Sequence, residues 1–444
     1  MRLIIIGGVA AGMSAASKLR RLDEDAEIIV FEKGDDVSYG ACGMPYYISG
    51  EIESADSLVA RTPDAFRKKG IDVRTRHEVI AIDTERKSVT VAAGDEEKQY
   101  SYDKLLIATG ARSLRLDVPG RDDGRIRSLK SLSDARFLKE TLTDAYSHIG
   151  LIGGGYIGIE MAEALRTMGK RVTMIERESQ VLPGFDADMA SLVEDTLKAE
   201  GVTLKKQETV EAYEQGDSIR IQTDRDAYEV DFVIESIGVR PDTAFLEGTA
   251  IEMEKGAIKV DEGMETNVRD VYAAGDCALY PHRLLDEHVY VPLGTHANKT
   301  GRLLGERLGG LERTFDGVIG SMVLKAFELE VAKTGLTASE AETAGIPFGE
   351  VRIKAPSHAG YYPGAKPLHV KWVYHREDCR LLGAQLIGEA GAAHRVNIAA
   401  TAIQAGMTAR TFSQLDLAYA PPFSPVWDPL QIAVNQIKCH RKKG

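Results

Sequence analysis

One cysteine with glycines nearby on both sides is the residue best placed to do chemistry. Cys42 lies in the segment Ser38-Tyr39-Gly40-Ala41-Cys42-Gly43-Met44-Pro45-Tyr46. Gly40 and Gly43 allow the backbone to approach a flat or bulky group, because neither has a Cβ. Pro45 suits the first turn of a helix, whose positive end would lower the pKa of the thiol and favour the reactive thiolate. Because a free cysteine is more often a small buried hydrophobe, both interpretations stand at this point.

Composition and charge limit the partners that such a thiol could have. The chain has 444 residues, enough for two or three domains, and a net charge of −12 that argues against nucleic acid or an anionic membrane surface. No apolar run reaches the roughly 18 residues of a membrane span, and the apolar start Met1–Ile6 is too short for a signal peptide. We therefore expect a cytoplasmic protein that neither crosses a membrane nor binds nucleic acid.

The four cysteines do not form a metal or disulfide pattern. Cys42, Cys277, Cys379 and Cys439 are far apart and include no C-x-x-C pair, which predicts neither a disulfide framework nor a zinc site. Cys277 follows an acid at a predicted helix start, Cys379 lies in a polar turn and Cys439 in a basic tail. We interpret these three as structural and expect no bound metal.

The N-terminus has the pattern of a dinucleotide-binding unit. It predicts a strand, a glycine turn, a helix and a second strand: Leu3–Ile6, Gly7-Gly8-Val9-Ala10-Ala11-Gly12, Met13–Leu22 and Ile28–Phe31. Val9 replaces the middle glycine of G-x-G-x-x-G, but Gly12 still permits close packing of helix on strand. Glu32, at the end of the second strand, can accept the ribose hydroxyls, and the pyrophosphate would lie at the helix N-terminus.

A second copy of the same unit follows about 150 residues later, which makes coincidence improbable. Its segments are Ile149–Ile152, Gly153-Gly154-Gly155-Tyr156-Ile157-Gly158, Ile159–Met168 and Arg171–Ile175. Here the glycine motif is complete, and Glu176 ends the second strand. Two units imply two dinucleotides. Glu176 favours NADH, whereas the adjacent Arg177 leaves NADPH open, because a 2′-phosphate requires a basic neighbour.

Three further strand ends complete the pattern. The segment Tyr102–Gly110 is a predicted strand that closes on a turn at Thr109-Gly110, and Val230–Ser236 is a strand followed by Ile237-Gly238. A third strand ends at Gly275-Asp276, where the acid can hydrogen-bond a polyol or simply cap a helix.

Taken together, these segments resemble the pyridine nucleotide–disulfide oxidoreductases, a family of flavoproteins, over essentially the whole chain. The resemblance implies an α/β fold with two Rossmann-like dinucleotide-binding domains of the glutathione-reductase-like kind, plus a C-terminal α+β dimerisation domain. It implies the following order: FAD-binding domain, first segment, 1–112; NAD(P)H-binding domain, 113–244; FAD-binding domain, second segment, 245–318; dimerisation domain, 319–444.

The resemblance also implies which residues bind FAD and NADH or NADPH. For FAD they are Gly7, Gly8, Ala10, Ala11, Gly12, Glu32, Lys33, Val79, Thr109, Gly110, Gly275 and Asp276. For NAD(P)H they are Gly153, Gly155, Tyr156, Ile157, Gly158, Glu176, Arg177 and Gly238. By the same match, Asp276 would hold the FAD ribitol, and Tyr156 would cover the flavin until nicotinamide displaces it.

The Cys42 segment is similar to that of the single-cysteine branch of this family. Members of the glutathione-reductase type carry C-x-x-x-x-C, but this chain has Tyr47 at the second position. Cys42 must therefore become a sulfenic acid or form a mixed disulfide with a small thiol. The branch contains NADH peroxidases, water-forming oxidases and coenzyme A-disulfide reductases. The first two place a histidine in the first glycine turn, where this chain has Val9-Ala10-Ala11.

Two C-terminal segments resemble those that coenzyme A-disulfide reductases use to bring two tyrosines to the partner subunit's active site. They are His358–Gly364 and Leu417–Phe423. The match implies a homodimer and names Tyr361 and Tyr419 as catalytic candidates, with Tyr362 an alternative to the first. Tyrosine also packs often at interfaces, which is the alternative interpretation.

The resemblance therefore implies an FAD-dependent NAD(P)H:CoA-disulfide reductase, which forms a mixed disulfide between Cys42 and coenzyme A and releases two CoA thiols. Six residues are candidate CoA contacts: Arg20, Arg21, Ser38, Arg61, Phe66 and Arg67. Ala41 stands where relatives can have Asn, which puts one substrate contact in doubt.

Three alternatives remain open at this point. They are a CoA-persulfide or polysulfide reductase, an NADH oxidase or peroxidase acting through a Cys42 sulfenic acid, and a flavin-bearing redox sensor. The chain ends soon after Trp427-Asp428-Pro429, without the length for a rhodanese-type domain, which weakens the persulfide alternative. The complete second dinucleotide unit argues against a passive sensor.

Overall fold

The computed structural model describes residues 1–438, so that Cys439 lies outside the described residues. The first segment contains β1 (Arg2–Ile6), α1 (Ala10–Arg20), β2 (Glu27–Glu32), α2 (Met44–Ser49), α3 (Pro63–Arg67), β3 (Ile71–Thr75), β4 (Glu78–Asp83), β5 (Ser88–Ala93), β6 (Glu96–Ser101), β7 (Lys104–Ile107) and β8 (Ala111–Ser113). The second contains β9 (Ile126–Ser128), α4 (Leu132–Thr141), β10 (His148–Ile152), α5 (Tyr156–Thr167), β11 (Arg171–Glu176), α6 (Ala187–Ala199), β12 (Val202–Lys206), β13 (Val210–Gln215), β14 (Ile219–Thr223), β15 (Ala227–Val230), β16 (Phe232–Glu235) and β17 (Val239–Pro241).

The rest of the described chain holds two further groups of elements. The first contains β18 (Met253–Glu254), β19 (Ala257–Ile258), β20 (Val271–Ala273), β21 (Tyr280–Pro281), β22 (His288–Val289) and α7 (Gly294–Leu308). The second contains β23 (Met322–Ala326), β24 (Leu329–Gly335), α8 (Ala338–Thr343), β25 (Phe348–Pro356), β26 (Pro367–His375), β27 (Leu381–Gly388), α9 (Ala392–Gln404), α10 (Ala409–Ser413) and α11 (Pro429–Val434).

The first sheet is parallel throughout and has the strand order β20-β7-β1-β2-β3. Its central strand is apolar because both faces are covered, and Leu3, Ile4 and Ile5 are fully buried. The chain leaves this sheet after β7 and returns only at β20. Helices α1 and α7 pack closely together, since a Cβ on Gly301 would lie 2.2 Å from the Ala11 carbonyl oxygen.

The second sheet is also parallel, with the order β12-β11-β10-β16-β9. The third is antiparallel, with the order β23-β24-β27-β26-β25, and α9 packs on it. Trp372 of the third sheet is fully buried against Phe412, with ring centroids 5.2 Å apart in an edge-to-face arrangement. Two parallel α/β units and an antiparallel α+β unit confirm the predicted fold class.

Both dinucleotide helices begin earlier than the sequence pattern predicts. Helix α1 begins at Ala10 rather than Met13, and α5 begins at Tyr156 rather than Ile159. The last glycine of each motif is therefore a helical residue that lies against the preceding turn. A Cβ on Gly12 would lie 2.0 Å from the Gly7 carbonyl oxygen, and one on Gly158 would lie 2.1 Å from that of Gly153.

One apolar cluster joins α2 to the second and third units. Met44, Tyr47 and Ile48 of α2 are buried in the same cluster as Ile159 of α5 and Val331 of the third sheet. Helix α2 packs directly on α4 and α5. The segment that carries Cys42 is thus held by the second dinucleotide unit as well as by the first.

Two other cysteines are buried parts of the fold. Cys277 is fully buried and donates to the carbonyl oxygens of Ile107 and Ala274, and burial raises its pKa to about 11. Cys379 is also buried, but it is disulfide-bonded. This bond differs from the prediction that the cysteines form no disulfide framework, because the sequence spacing gives no sign of it. Within residues 1–438, no helix is both long and apolar enough to cross a bilayer.

Candidate active site

Cys42 is exposed at the start of α2, as its sequence neighbours indicate. It lies in the single 3₁₀ turn Ala41–Gly43, which leads directly into α2, with Pro45 in the first turn of that helix. Because α2 packs on α5, the thiol lies near the start of the second dinucleotide unit.

The electrostatic surroundings of Cys42 differ from the prediction. Although the residue is exposed, desolvation by the surrounding protein raises the pKa of the thiol, and the carboxylates of Glu160 and Asp276 raise it further. Lys130 acts in the opposite direction. The prediction of a lowered pKa is therefore wrong for the protein's own groups. Helix α2 spans only six residues, so its dipole lowers the pKa of the thiol only weakly. The two opposing carboxylates come from segments that are distant in the sequence.

Glu160 is a site residue that the sequence pattern does not reveal. It lies on α5, one helical turn after Tyr156, and burial together with Glu163 raises its pKa to about 7. Glu163 itself forms an ion pair with Lys325 and accepts a hydrogen bond from the Phe327 amide. The spacing from Tyr156 is the only sequence signal, since burial cannot be read from the motif.

Lys130 is a second residue missed by the motifs. Its Nζ lies 3.5 Å from the Asp276 carboxylate, and its amide donates to the Asp134 side chain at 3.1 Å. The cation is thus placed beside the acid predicted to hold a polyol and within electrostatic range of Cys42.

The first dinucleotide unit has a preformed cradle. Glu32 accepts from the amides of Gly8 and Gly34, both at 2.7 Å, which fixes its carboxylate beside the glycine turn. Helix α1 has no side-chain cap and no acidic residue in its first turn, so its N-terminal amides are available to an anion. Ala10 and Ala11 begin this helix.

The far end of the first unit contains an unpaired polar atom. The Tyr290 hydroxyl is buried without a hydrogen-bond partner and lies within electrostatic range of Asp276. Such an atom fits a polar ligand chain like the ribitol of FAD, and with the Glu32 cradle the residues present fit this cofactor.

The other predicted FAD residues surround this cradle or lie at its edge. Gly110 and Gly275 adopt positive φ angles of 70° and 86°, at the turns that follow β7 and β20, with Thr109 in the first of them. Val79 is buried in β4, and the exposed Lys33 forms an ion pair with Asp242. These assignments remain predictions.

The second dinucleotide unit repeats the geometry of the first. Glu176 accepts from the amide of Gly154 at 2.6 Å and from that of Glu178 at 2.8 Å, and it is buried. Arg177 is exposed and pairs with Glu178 at 2.9 Å. The buried carboxylate is thus fixed where a ribose would lie, while the guanidinium points to solvent.

Helix α5 begins with the tyrosine predicted to cover the flavin. The helix starts after Gly155 without a side-chain cap. Its second residue, Ile157, is half-buried and packs against the apolar cluster that contains Ile159. Burial raises the pKa of Tyr156 to about 12, so its hydroxyl is neutral at physiological pH. Gly238, with φ of 111°, turns the chain at the end of this sheet.

The structure brings together Tyr361 and Tyr419 from two separate loops. Their hydroxyl oxygens are 2.7 Å apart across 58 residues of sequence, and this hydrogen bond raises the pKa of Tyr419. Tyr361 is 77% exposed, so the pair faces outward. Tyr362 instead packs edge-to-face on His358, with ring centroids 5.6 Å apart. Of the two neighbouring tyrosines, Tyr361 is therefore the one that pairs with Tyr419.

The predicted CoA contacts do not form one cluster. Phe66 is 1% exposed and belongs to the core of the first unit, so its assignment as a direct substrate contact is corrected. Arg20 donates to four backbone carbonyls, among them that of Gly70 at 2.8 Å. Arg67 donates to the Val73 carbonyl and the Asp64 carboxylate. Both guanidinium groups are thus engaged in holding the fold.

The remaining CoA candidates are accessible. Arg21 and Arg61 are exposed, and the Arg61 guanidinium lies 5.9 Å from the centre of the Phe66 ring. Ser38 is half-buried with a φ of 51°, which is unusual for a serine. Their role as CoA contacts remains a prediction.

Comparison with known proteins identifies the family. Residues 1–301 match the model of the pyridine nucleotide-disulphide oxidoreductases. The chain belongs to that family. Residues 323–429 match the dimerisation domain of the same family. The protein is therefore an oxidoreductase of a family that implies FAD and NAD(P)H, and it carries a domain that family members use to form dimers.

Similar proteins extend over almost the whole chain. A CoA-dependent NAD(P)H sulfur oxidoreductase from Pyrococcus abyssi is 39% identical over 441 residues, 98% of each protein. A coenzyme A disulfide reductase from Staphylococcus epidermidis is 32% identical, over 95% of this chain and 96% of that protein.

Solved structures show the same similarity. The reduced CoADR-RHD of Bacillus anthracis is 33% identical, with a TM-score of 0.95 over 98% of this chain and 79% of that one. A water-forming NADH oxidase from Lactobacillus brevis is 31% identical, with a TM-score of 0.94 over 98% and 97% of the two chains.

Proposed function

We propose that this enzyme uses NAD(P)H to reduce the sulfur–sulfur bond of CoA disulfide, yielding two CoA thiols. The observation that carries the proposal is that Cys42 is the one free and exposed cysteine of residues 1–438. Since Cys277 is buried and Cys379 is disulfide-bonded, no other cysteine of residues 1–438 offers Cys42 a free thiol, which supports a substrate as the source of the second sulfur.

The proposed reaction cycle balances with one cysteine. The Cys42 thiolate attacks one sulfur of CoA disulfide, forms a Cys42–S–S–CoA bond and releases the first CoA as a thiolate. Two electrons from NAD(P)H then break that bond, which returns the Cys42 thiolate and releases the second CoA. When bound, FAD supplies the two-electron relay between nicotinamide and sulfur.

The protein's own residues prepare the site for these steps. Lys130 favours the Cys42 thiolate against the opposing influence of Glu160 and Asp276. In the proposed homodimer, Tyr361 and Tyr419 of one subunit hydrogen-bond or protonate the leaving CoA sulfur in the other. We propose that this dimer acts in the cytoplasm.

In the proposal, each cofactor is bound through a carboxylate at the end of the second strand of its dinucleotide unit. Glu32 and the N-terminus of α1 would hold the FAD ribose and pyrophosphate, and Asp276 with Tyr290 would hold the ribitol. Glu176 would hold the NADH ribose. NADPH stays open because Arg177 could meet a 2′-phosphate only by leaving Glu178.

A CoA persulfide or a polysulfide is a second candidate substrate. The Pyrococcus abyssi relative is named for CoA-dependent sulfur reduction, and at 39% identity it is more similar than the staphylococcal reductase. It is covered over 98% of its own length by this chain. A relative of nearly the same length thus carries that name, so chain length does not separate the two candidates.

Acceptor specificity tests the proposal. NADH and NADPH oxidation by the purified flavoprotein is followed with CoA disulfide, polysulfide, peroxide and air as acceptors. We expect CoA disulfide to support the fastest turnover. Faster turnover with polysulfide would select the second candidate, whereas faster turnover with peroxide or air would refute both. Absence of turnover with every acceptor would indicate a redox sensor.

Mass spectrometry of the purified protein provides an independent test. We expect a coenzyme A adduct on Cys42 that is lost on reduction. A sulfenic acid on Cys42 without any adduct would instead support oxidase or peroxidase chemistry.

A further inference from the structure

Two surface loops carry the tyrosine pair and contact each other. The loop 357–366 connects β25 to β26 and carries Tyr361, and the loop 414–428 connects α10 to α11 and carries Tyr419. We call them the tyrosine loops. Besides the hydroxyl contact, the amide of Ala359 donates to the Pro421 carbonyl oxygen at 3.2 Å. Neither loop contains a helix or strand, and their conformation depends on backbone turns and on side-chain contacts.

A single buried arginine on α9 contacts both tyrosine loops. Arg395 projects from α9 and is 7% exposed. Its Nη2 donates to the Ser357 carbonyl oxygen at 2.9 Å and to that of Phe423 at 3.3 Å, one acceptor in each loop. Its Nε donates to the Asp428 carboxylate at 2.7 Å. Three contacts in different directions thus converge on one guanidinium.

The acceptor carboxylate is itself fixed by the backbone. The other oxygen of Asp428 accepts from the Leu430 amide at 2.9 Å and caps α11, and Asp428 is 7% exposed. The remaining terminal nitrogen of Arg395, Nη1, donates to the Gly391 carbonyl oxygen at 3.3 Å. Each of the three guanidinium nitrogens is therefore engaged in a hydrogen bond.

We propose that Arg395 is the positioning residue for the tyrosine pair: it fixes the tyrosine loops so that the Tyr361 and Tyr419 hydroxyls meet. This inference rests on the proposed function, in which those hydroxyls serve the reacting sulfur. A buried ion pair is by itself weak evidence for stability, because replacing both partners by well-packed apolar residues is often neutral. A lysine at this position retains the charge but lacks the planar fork that reaches several acceptors.

Arg395→Lys and Asp428→Asn test the proposal, with Arg125→Lys as a matched control. Arg125 likewise binds one carboxylate, that of Asp123, and the carbonyls of Gly216 and Asp217, but it lies in the second unit. We expect Arg395→Lys to lower turnover with CoA disulfide about tenfold, a part of the 10²- to 10⁴-fold that proton transfer contributes. Flavin reduction by NADH and the dimeric state should stay as in the wild type, and Arg125→Lys should change neither step.

A double-mutant comparison separates positioning from a general structural effect. When Tyr361 and Tyr419 are both replaced by Phe, adding Arg395→Lys should cause no further loss of turnover. The same fractional loss with and without the two hydroxyls would overturn the proposal, as would unchanged turnover in Arg395→Lys itself.

Hydrogen exchange of the tyrosine loops gives a readout that does not depend on activity. We expect faster exchange in both loops for Arg395→Lys and Asp428→Asn, and wild-type exchange there for Arg125→Lys. Unchanged loop exchange in Arg395→Lys would overturn the positioning role. If the wild type does not reduce CoA disulfide, the proposed function fails, and the exchange result still decides the role of Arg395.

Discussion

Replacing Glu160 by glutamine should make the protein less sensitive to rising pH. The carboxyl has an ordinary pKa of 4.5 and a pKa of about 7 in the folded protein, because burial and Glu163 disfavour its charge. Since the folded value is the higher one, the folded state is favoured when Glu160 is protonated. That contribution is complete below pH 4.5 and is lost as pH rises through 7.

The size of the effect follows from the pKa difference. At about 1.4 kcal/mol for each pH unit between the two pKa values, ionised Glu160 costs the folded state about 3 kcal/mol above pH 7. Glutamine has nearly the same shape and stays neutral. The free energy of unfolding of the wild type should therefore fall relative to that of Glu160→Gln by up to about 3 kcal/mol between pH 5 and pH 8.

Urea unfolding of both proteins at pH 5, 6, 7 and 8, followed by circular dichroism, measures this difference. Glu200→Gln, at the exposed end of α6, is the control and should follow the wild type at every pH. Parallel curves for the wild type and Glu160→Gln from pH 5 to pH 8 would refute the argument, because they would mean that the folded protein ionises Glu160 freely.

Three further predictions concern the thiol and the tyrosine pair. Cys42→Ser should abolish disulfide reduction while the visible absorbance of bound FAD is retained, since the thiol supplies the redox sulfur. Loss of the flavin would assign Cys42 a structural role instead. Lys130→Met should slow alkylation of Cys42 by iodoacetamide and move the midpoint of its pH profile upward, because Lys130 lowers the pKa of this thiol; an unchanged profile would exclude that influence. Tyr419→Phe should lower turnover with CoA disulfide about tenfold or more, as expected for loss of a proton donor. The dimer should remain intact in gel filtration. Turnover at the wild-type rate would indicate that Tyr419 serves only in packing.

The sequence predicts the two dinucleotide units well because their signals are local. Buried parallel strands leave short apolar runs, and the glycine motifs mark the turns between strand and helix. The sequence pattern predicts both helix starts three residues late, at Met13 and Ile159, because the motifs extend into the helices. Gly12 and Gly158 lie in the first turn of their helices, where the absence of a Cβ lets the helix contact the preceding glycine turn. The last glycine of each motif is therefore helical.

The properties of the site depend on contacts that no local pattern contains. A helix begins shortly after Cys42 in the sequence, which predicts a lowered pKa. Glu160 and Asp276, from other segments, contribute to raising the pKa of the thiol instead. Phe66 appears in a run of charged residues, typical of a surface, yet it is the core-facing residue of the short helix α3. Tyr361 and Tyr419 can be chosen by resemblance, whereas their hydrogen bond depends on the folding of two loops.

The interrupted order of the first sheet has a consequence for synthesis on the ribosome. Strand β20 pairs with β7, yet the chain between them first builds the whole second sheet. The second sheet is continuous in sequence from β9 to β16 and can close as soon as it emerges, whereas the first must wait for β20. Gly275 and Asp276 follow that strand directly. The nascent chain therefore completes its second dinucleotide unit before its first.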